Sequence, residues 1–138
     1  MRFVIVGLLL LLMVGCQSNN IEEVINEHGD IQNLDSLDRF VENIKNQKKA
    51  EINYVQYGIE GQRGVSTLAF DGEQINISHS VDGDFIEEYS CKKIIVETEE
   101  GINKYILNEC NGNLNENVEF LSVPISKIIQ LNHLIVSL

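Results

Sequence analysis

Basic residues are scarce in this chain. Ten Lys+Arg stand against 21 Asp+Glu, a formal net charge of −11 over 138 residues. Without a basic stripe nothing displaces counterions from a phosphate backbone, which excludes nucleic acid as a partner. The same sign of charge is repelled by anionic headgroups, so the protein surface alone would not hold the chain to a membrane. The three cysteines form no CxxC pattern, which removes a dithiol redox motif and a structural zinc site. No internal repeat is visible. His28, His79 and His133 are far apart and lack metal-ligand spacing. On these grounds His28 reads as a helix-end residue bonded to a late carbonyl, and His79 as part of a solvated strand face. Gly64-Val65-Ser66-Thr67-Leu68 lacks the second glycine of a nucleophile elbow. Gly58, Gly61 and Gly64 recur every third residue, but neither a helix nor Lys-Ser/Thr follows, so they read as a hairpin loop. Asp82, Asp84, Glu87 and Glu88 cluster without an EF-hand pattern and read as a solvated turn rather than a cation site. The sequence therefore offers no catalytic residue, no metal-ligand set and no cofactor motif.

What is present begins at the N-terminus. Arg2 precedes an apolar run, Phe3 to Val14, interrupted only by Gly7. A membrane-spanning helix needs roughly 20 such residues, so this run fits the apolar region of a signal peptide. It ends at Gly15-Cys16. Leu11-Leu12-Met13-Val14-Gly15-Cys16 resembles the lipobox of bacterial lipoproteins, with Met13 where that pattern most often has Leu. The resemblance implies cleavage before Cys16 and a diacylglyceryl group on its thiol. Two acyl chains suffice for stable anchoring where one does not. An ordinary cleaved signal and an uncleaved short anchor are the alternatives. The chain then divides into a signal peptide (1–15), a lipidated tether (16–20), an α+β domain (21–110) and an apolar C-terminal extension (111–138). Losing Arg2 with the signal takes the net charge from −11 to −12.

With Cys16 lipidated, Cys91 and Cys110 remain as an even pair in an oxidising compartment. If residues whose numbers sum to 201 lie opposite each other, Cys91 faces Cys110 and Lys92 faces Glu109. Ile94 then faces Leu107, Ile95 faces Ile106, Val96 faces Tyr105 and Glu97 faces Lys104. One register thus produces a disulfide, two opposite-charge pairs and three apolar pairs. The connecting loop is either Glu100-Gly101 or Glu99 to Ile102. The longer form is favoured because it puts the cysteines at a non-hydrogen-bonded site, where Cβ atoms approach more closely.

Upstream, Ile21 to His28 reads as a short helix with Ile21, Val24 and Ile25 on one face and Gly29 as its stop. Leu34, Leu37, Phe40, Val41 and Ile44 form an apolar stripe on a second helix, Leu34 to Gln47, with Asn33 as N-cap. Its stripe should be buried on a sheet. After Ala50 the period becomes two. Strands are expected over Ile52–Ile59, Val65–Phe70 and Ile75–Val81. A four-residue loop, Asp71 to Gln74, sets Phe70 against Ile75 and Leu68 against Ile77. Val118 to Leu138 reads either as a strand followed by a helix covering the second face of the sheet, or as an apolar tail.

Several short signals recur together between Val24 and Cys110: His28-Gly29, Ile31, Asn33-Leu34, Leu37, Phe40, Tyr57, Glu60-Gly61, Asp71-Gly72, Cys91-Lys92, Tyr105, Leu107 and Cys110. On these the chain resembles the small bacterial lipoproteins of the family called domain of unknown function 4362. That resemblance implies no assigned activity and no catalytic residue. The expected fold class is α+β: two short N-terminal helices packed on an antiparallel meander of four to five strands. This layout looks like the repeats of beta-lactamase inhibitor protein, with a cystatin-like arrangement as the alternative.

The functional expectation is an extracytoplasmic lipoprotein at the cell membrane, held there by lipid on Cys16. It would act as a binding module for an envelope protein or polymer, with Tyr54, Tyr57 and Tyr89 as candidate contact aromatics. A small envelope hydrolase is the alternative. Cells producing the chain should incorporate labelled palmitate into it, and Cys16→Ala should abolish the label. An equally labelled Cys16→Ala protein would overturn the anchor.

Overall fold

The computed structural model describes residues 20–111 and 117–129. The lipobox and Cys16 lie outside these, as does His133. Among the described residues no helix is long and apolar enough to cross a membrane.

Eight strands form one curled, half-barrel sheet in the order β2-β1-β3-β4-β5-β6-β7-β8. They are β1 (Glu22–Glu27), β2 (Asp30–Gln32), β3 (Ala50–Tyr57), β4 (Arg63–Phe70), β5 (Ile75–Val81), β6 (Asp84–Glu99), β7 (Ile102–Cys110) and β8 (Asn117–Pro124). One helix, α1 (Leu34–Lys45), sits between β2 and β3 in the chain. The expectation of two N-terminal helices on a four- to five-stranded meander is therefore wrong, and with it the likeness to beta-lactamase inhibitor protein repeats.

The error starts at β1. Ile21, Val24 and Ile25 satisfy helical spacing, but the segment is short and β-branched, which favours an extended chain. Its backbone groups are satisfied by β3, which runs parallel to it and sets Val24 against Tyr54 and Ile25 against Val55. Gly29 is no helix stop. His28 and Gly29, at φ 53° and 89°, form a two-residue turn that sets Glu27 against Asp30. Asp82-Gly83 and Glu100-Gly101 make turns of the same kind, each with two positive φ values and glycine second. The last hairpin thus takes the shorter of its two candidate loops. Its register is nonetheless the expected one: Cys91 opposes Cys110 and is bonded to it, and Ile94, Ile95 and Val96 oppose Leu107, Ile106 and Tyr105. The longer loop is not needed to bring the cysteines together. Glu109 has a left-handed φ of 54°, which interrupts the ladder beside Cys110. Lys92 lies 3.7 Å from Glu109 as expected, while Lys93 reaches it at 2.6 Å. Lys104 opposes Glu97 but pairs diagonally with Glu99. These exposed pairs contribute little each.

α1 matches its apolar stripe. Leu34, Leu37, Phe40, Val41 and Ile44 are all buried. Asn33 stands at the N-cap position, but in a left-handed conformation without a capping bond; its side chain donates to the Glu23 carbonyl instead. The helix packs into the concave face of the sheet. From the sheet side it meets two cross-strand rows: Ala50, Phe70, Ile75 and Cys91, then Ile52, Leu68, Ile77 and Tyr89. The curl carries β7 and β8 around to close the core. Tyr105 donates its hydroxyl to Asp38 of α1 at 2.8 Å, and Phe120 packs against Tyr54 with ring centroids 4.5 Å apart. β8 extends the sheet beyond Cys110, so residues 117–124 belong to the same layer as the rest. The chain is helical over residues 125–129, and Ile128 packs against the core.

The disulfide ties β6 to β7 at a buried position, Cys91 being 1% exposed. A closed loop of 19 residues corresponds to about 3 kcal/mol in the chain-entropy account. Replacing both cysteines by alanine should lower the unfolding free energy by about that amount in urea titrations. A loss under about 1 kcal/mol would mean that the hairpin is equally constrained without the bond.

Candidate functional site

Along the concave face, the cross-strand rows change character from one end of the sheet to the other. The two rows under α1 are apolar. The next is Tyr54, Ser66, His79 and Glu87, and the last is Asn26, Gln56, Gly64 and Val81. Beyond the helix the sheet therefore keeps its inner face but loses its apolar character. An open cleft of about 410 Å³ forms there, lined by Asn26, His28, Gly29, Gln56, Tyr57, Gly58, Gln62, Gly64, His79 and Val81. This volume lies within the range of ligand pockets, about 300–1,000 Å³.

Three strand ends and their turns build it. The β1–β2 turn supplies His28 and Gly29. The β3–β4 connection, residues 58–62, supplies Gly58 and Gln62 and closes on itself, since the Gly58 N–H donates to the Gln62 carbonyl and the Gly61 N–H to the Gly58 carbonyl. β4 and β5 supply Gly64 and His79. The Asp82 carboxylate accepts the Arg63 N–H at 2.8 Å, and the Asp82 N–H donates to the Arg63 carbonyl. The β5–β6 turn is thereby fastened to the start of β4.

The polar groups are held in place from below. Tyr54 is buried, and its hydroxyl accepts Asn26 Nδ2 and Gln56 Nε2, both at 2.9 Å. Asn26 Oδ1 accepts the Gly29 N–H at 2.9 Å, which fixes its amide orientation. Asn26 is thus committed on both sides. Gln56 keeps its carbonyl oxygen and one N–H without a partner among the described residues. Ser66 Oγ lies 3.0 Å from His79 Nδ1, leaving His79 Nε2 for the cleft. Burial pushes the phenol of Tyr54 above its ordinary range, opposed by the two amide donors. Burial likewise raises Tyr89 and, more strongly, Tyr105, whose bond to Asp38 adds to the effect.

Two of the three candidate aromatics serve the core: Tyr54 is buried and Tyr89 packs beside it, leaving Tyr57 at the cleft. His28 is a turn residue, not a helix end, and His79 faces the inner side of the sheet, not a solvated face. The two histidines that seemed unrelated in sequence share one cleft. Asn26, Gln56 and Gln62 carry no signal in the sequence alone, because helical spacing over Ile21 to His28 takes Asn26 away from the strand that holds Gln56. The Ser66–His79 contact was available, since the register that pairs Leu68 with Ile77 also pairs Ser66 with His79. Among the described residues no Asp, Glu, Lys or Arg lines the cleft. Glu87 opposes His79 in the ladder, but no hydrogen bond joins them among the described residues. The carboxylates of residues 82–88 do not converge, and no group of three potential metal ligands occurs among the described residues. A second hollow of about 490 Å³, bordered by Asn20, Glu22, Lys49 and Phe70, lies at the opposite end of the sheet.

Fold and site together define a small half-barrel domain, one helix in its hollow and a neutral polar cleft at one end. The model of the family "Domain of unknown function (DUF4362)" matches residues 21–106, and the chain belongs to that family. No curated protein and no solved structure matches it.

The tyrosines give this arrangement a pH signature. Tyr54, Tyr89 and Tyr105 are raised in the folded state, so the unfolded chain releases these protons first as pH rises. Their contribution is fully present below pH 10, the unfolded value, and is lost as pH climbs toward the folded values. In spectroscopic alkaline titration, most tyrosinate absorbance should appear together with unfolding above pH 10. Ionisation of all four tyrosines below pH 10 in an intact fold would contradict the burial described here.

Proposed function

We propose that the chain is an extracytoplasmic binding module, held at the cell membrane by lipid on Cys16, and that the cleft is its binding site for an envelope protein or polymer. The observation that carries this is the neutral polar row Asn26–Gln56–Gly64, flanked by His79, at the uncovered end of an otherwise apolar concave face. Buried Tyr54 holds these amides at a cost in desolvation that packing alone does not require.

Position agrees with this reading. β1 begins at Glu22, next to the proposed tether, and runs six residues to Glu27 beside the cleft. At roughly 3.3 Å per residue the cleft stands about 20 Å from the tether and opens at the other end of the sheet. A lipid at Cys16 would therefore leave the cleft facing away from the membrane, with the second hollow turned towards it.

A small envelope hydrolase is the second reading, and the Ser66–His79 contact is the observation that favours it. It requires a third group to orient the imidazole and a donor set for an oxyanion. Neither accompanies the pair in the cleft lining, so binding is preferred.

Gly64 allows a clean test. A Cβ there would meet His79 Cε1 at 3.5 Å and the Gln56 carbonyl at 3.6 Å, ordinary contacts, and its φ is not left-handed. Gly64→Leu should fold and fill the cleft. Co-sedimentation of the detergent-solubilised protein with isolated cell-wall polymer should weaken roughly tenfold or more, while the thermal midpoint moves by only a few degrees. Unchanged co-sedimentation would remove the cleft as the binding site.

A further inference from the structure

The cleft stands out against the chain that carries it. In a protein of net charge −11, its lining holds no charged side chain. Among the lining residues a phosphate or carboxylate ligand would find no Lys or Arg, and a cation no carboxylate; the ammonium of Lys127, beside Gly29, is bonded to that residue's carbonyl.

The backbone at the glycines of this end is also committed. The N–H groups of Gly29, Gly58 and Gly61 donate to Asn26 Oδ1, the Gln62 carbonyl and the Gly58 carbonyl respectively. Gly64 lies within the ladder between Gln56 and Val81. These glycines leave no nest of unpaired N–H groups to cradle an anion. The strands that carry the cleft's polar row, β1, β3, β4 and β5, are interior in the sheet, and the edge strand β2 beside them offers a peptide only three residues to pair with.

Recognition is left to side chains, and these are of one kind. The Gln56 amide offers both an acceptor and a donor, and His79 Nε2 takes either role according to tautomer. Each suits a hydroxyl, which both donates and accepts. Tyr57, the last residue of β3, also borders the cleft. Planar amides and imidazoles, with no charged side chain among them, match a ligand that carries many hydroxyls. From this chemistry we infer that the cleft takes a neutral glycan segment of the cell envelope. The inference rests on the reading of the cleft as the binding site, and it adds the class of ligand.

The test uses the full-length protein in detergent, titrated with four probes: chitotetraose and maltotetraose as neutral glycans, a glycerol phosphate oligomer as an anion, and a neutral tetrapeptide. Side-chain amide resonances of Gln56 and Asn26 report on the cleft, and that of Asn43 on the opposite hollow. At least one neutral glycan should shift the Gln56 amide saturably and leave Asn43 unmoved. Gln56→Ala should weaken it roughly tenfold. Raising salt from low to high should leave the affinity unchanged, since no charged side chain stands in the lining among the described residues. Saturable cleft binding by the anion or the tetrapeptide alone would overturn the glycan assignment and keep the binding site. If no probe binds while Gly64→Leu still reduces polymer co-sedimentation, the glycan assignment falls alone. If Gly64→Leu is also without effect, both readings fall.

Discussion

Directly opposed residues on paired strands share a face of the sheet, and that constraint organises the whole molecule. Once Phe70 stands against Ile75, each step of two residues along β4 and β5 assigns another pair to the concave side: Leu68 with Ile77, then Ser66 with His79, then Gly64 with Val81. β3 adds Ile52, Tyr54 and Gln56 to the same rows, and β1 adds Val24 and Asn26. The first pairs are apolar and take the helix. The later ones are polar and form the cleft. Core and site are thus consecutive stretches of one surface. A register slip of one residue would turn both to the wrong side at once.

The helix decides where the change from apolar to polar falls. α1 presents Leu34, Leu37, Phe40, Val41 and Ile44, a stripe long enough to cover the apolar rows. At the boundary stands Tyr54, whose ring packs on Phe120 while its hydroxyl takes the amides of Asn26 and Gln56. A tyrosine suits that position because one end is apolar and the other polar. The curl of the sheet is what brings Phe120 of β8 to Tyr54 of β3, although four strands lie between them in the order. The closure is repeated at the rim, where Lys127 donates to the carbonyl of Gly29.

These links mark what could and could not be read from the amino acids. Antiparallel hairpins were legible because neighbours in sequence are neighbours in space. Alternation and turn residues set the β4–β5 register, and charge and cysteine pairing set that of β6–β7. The stripe of α1 was legible because its period is unambiguous over twelve residues. β1 was not, because six residues carry too little period to separate strand from helix and its main partner, β3, is distant in sequence and parallel. That single misreading hid the cleft. Asn26, on a supposed helix, could not be aligned with Gln56, and His28 had no reason to lie near His79. The polar residues of β3 and β4 were in view, yet without β1 they looked like the solvated ends of strands.

The turns explain why the far end of the sheet holds its shape without a core beneath it. Two of the three two-residue turns, His28-Gly29 and Asp82-Gly83, lie at this end, where strands must reverse within the width of one ladder step. Each is fastened by a side chain of its own neighbourhood: Asn26 Oδ1 on the Gly29 N–H, and Asp82 Oδ1 on the Arg63 N–H. The β3–β4 connection between them is pinned by Gly58 to Gln62. A cleft lined by flexible polar side chains would lose affinity by having to order them on binding. Here the amide of Asn26 and the backbone around it are ordered beforehand, so that cost falls mainly on Gln56, Gln62 and Tyr57. The bonds that keep the turns rigid also occupy the N–H groups of Gly29 and Gly58, two residues of the cleft lining.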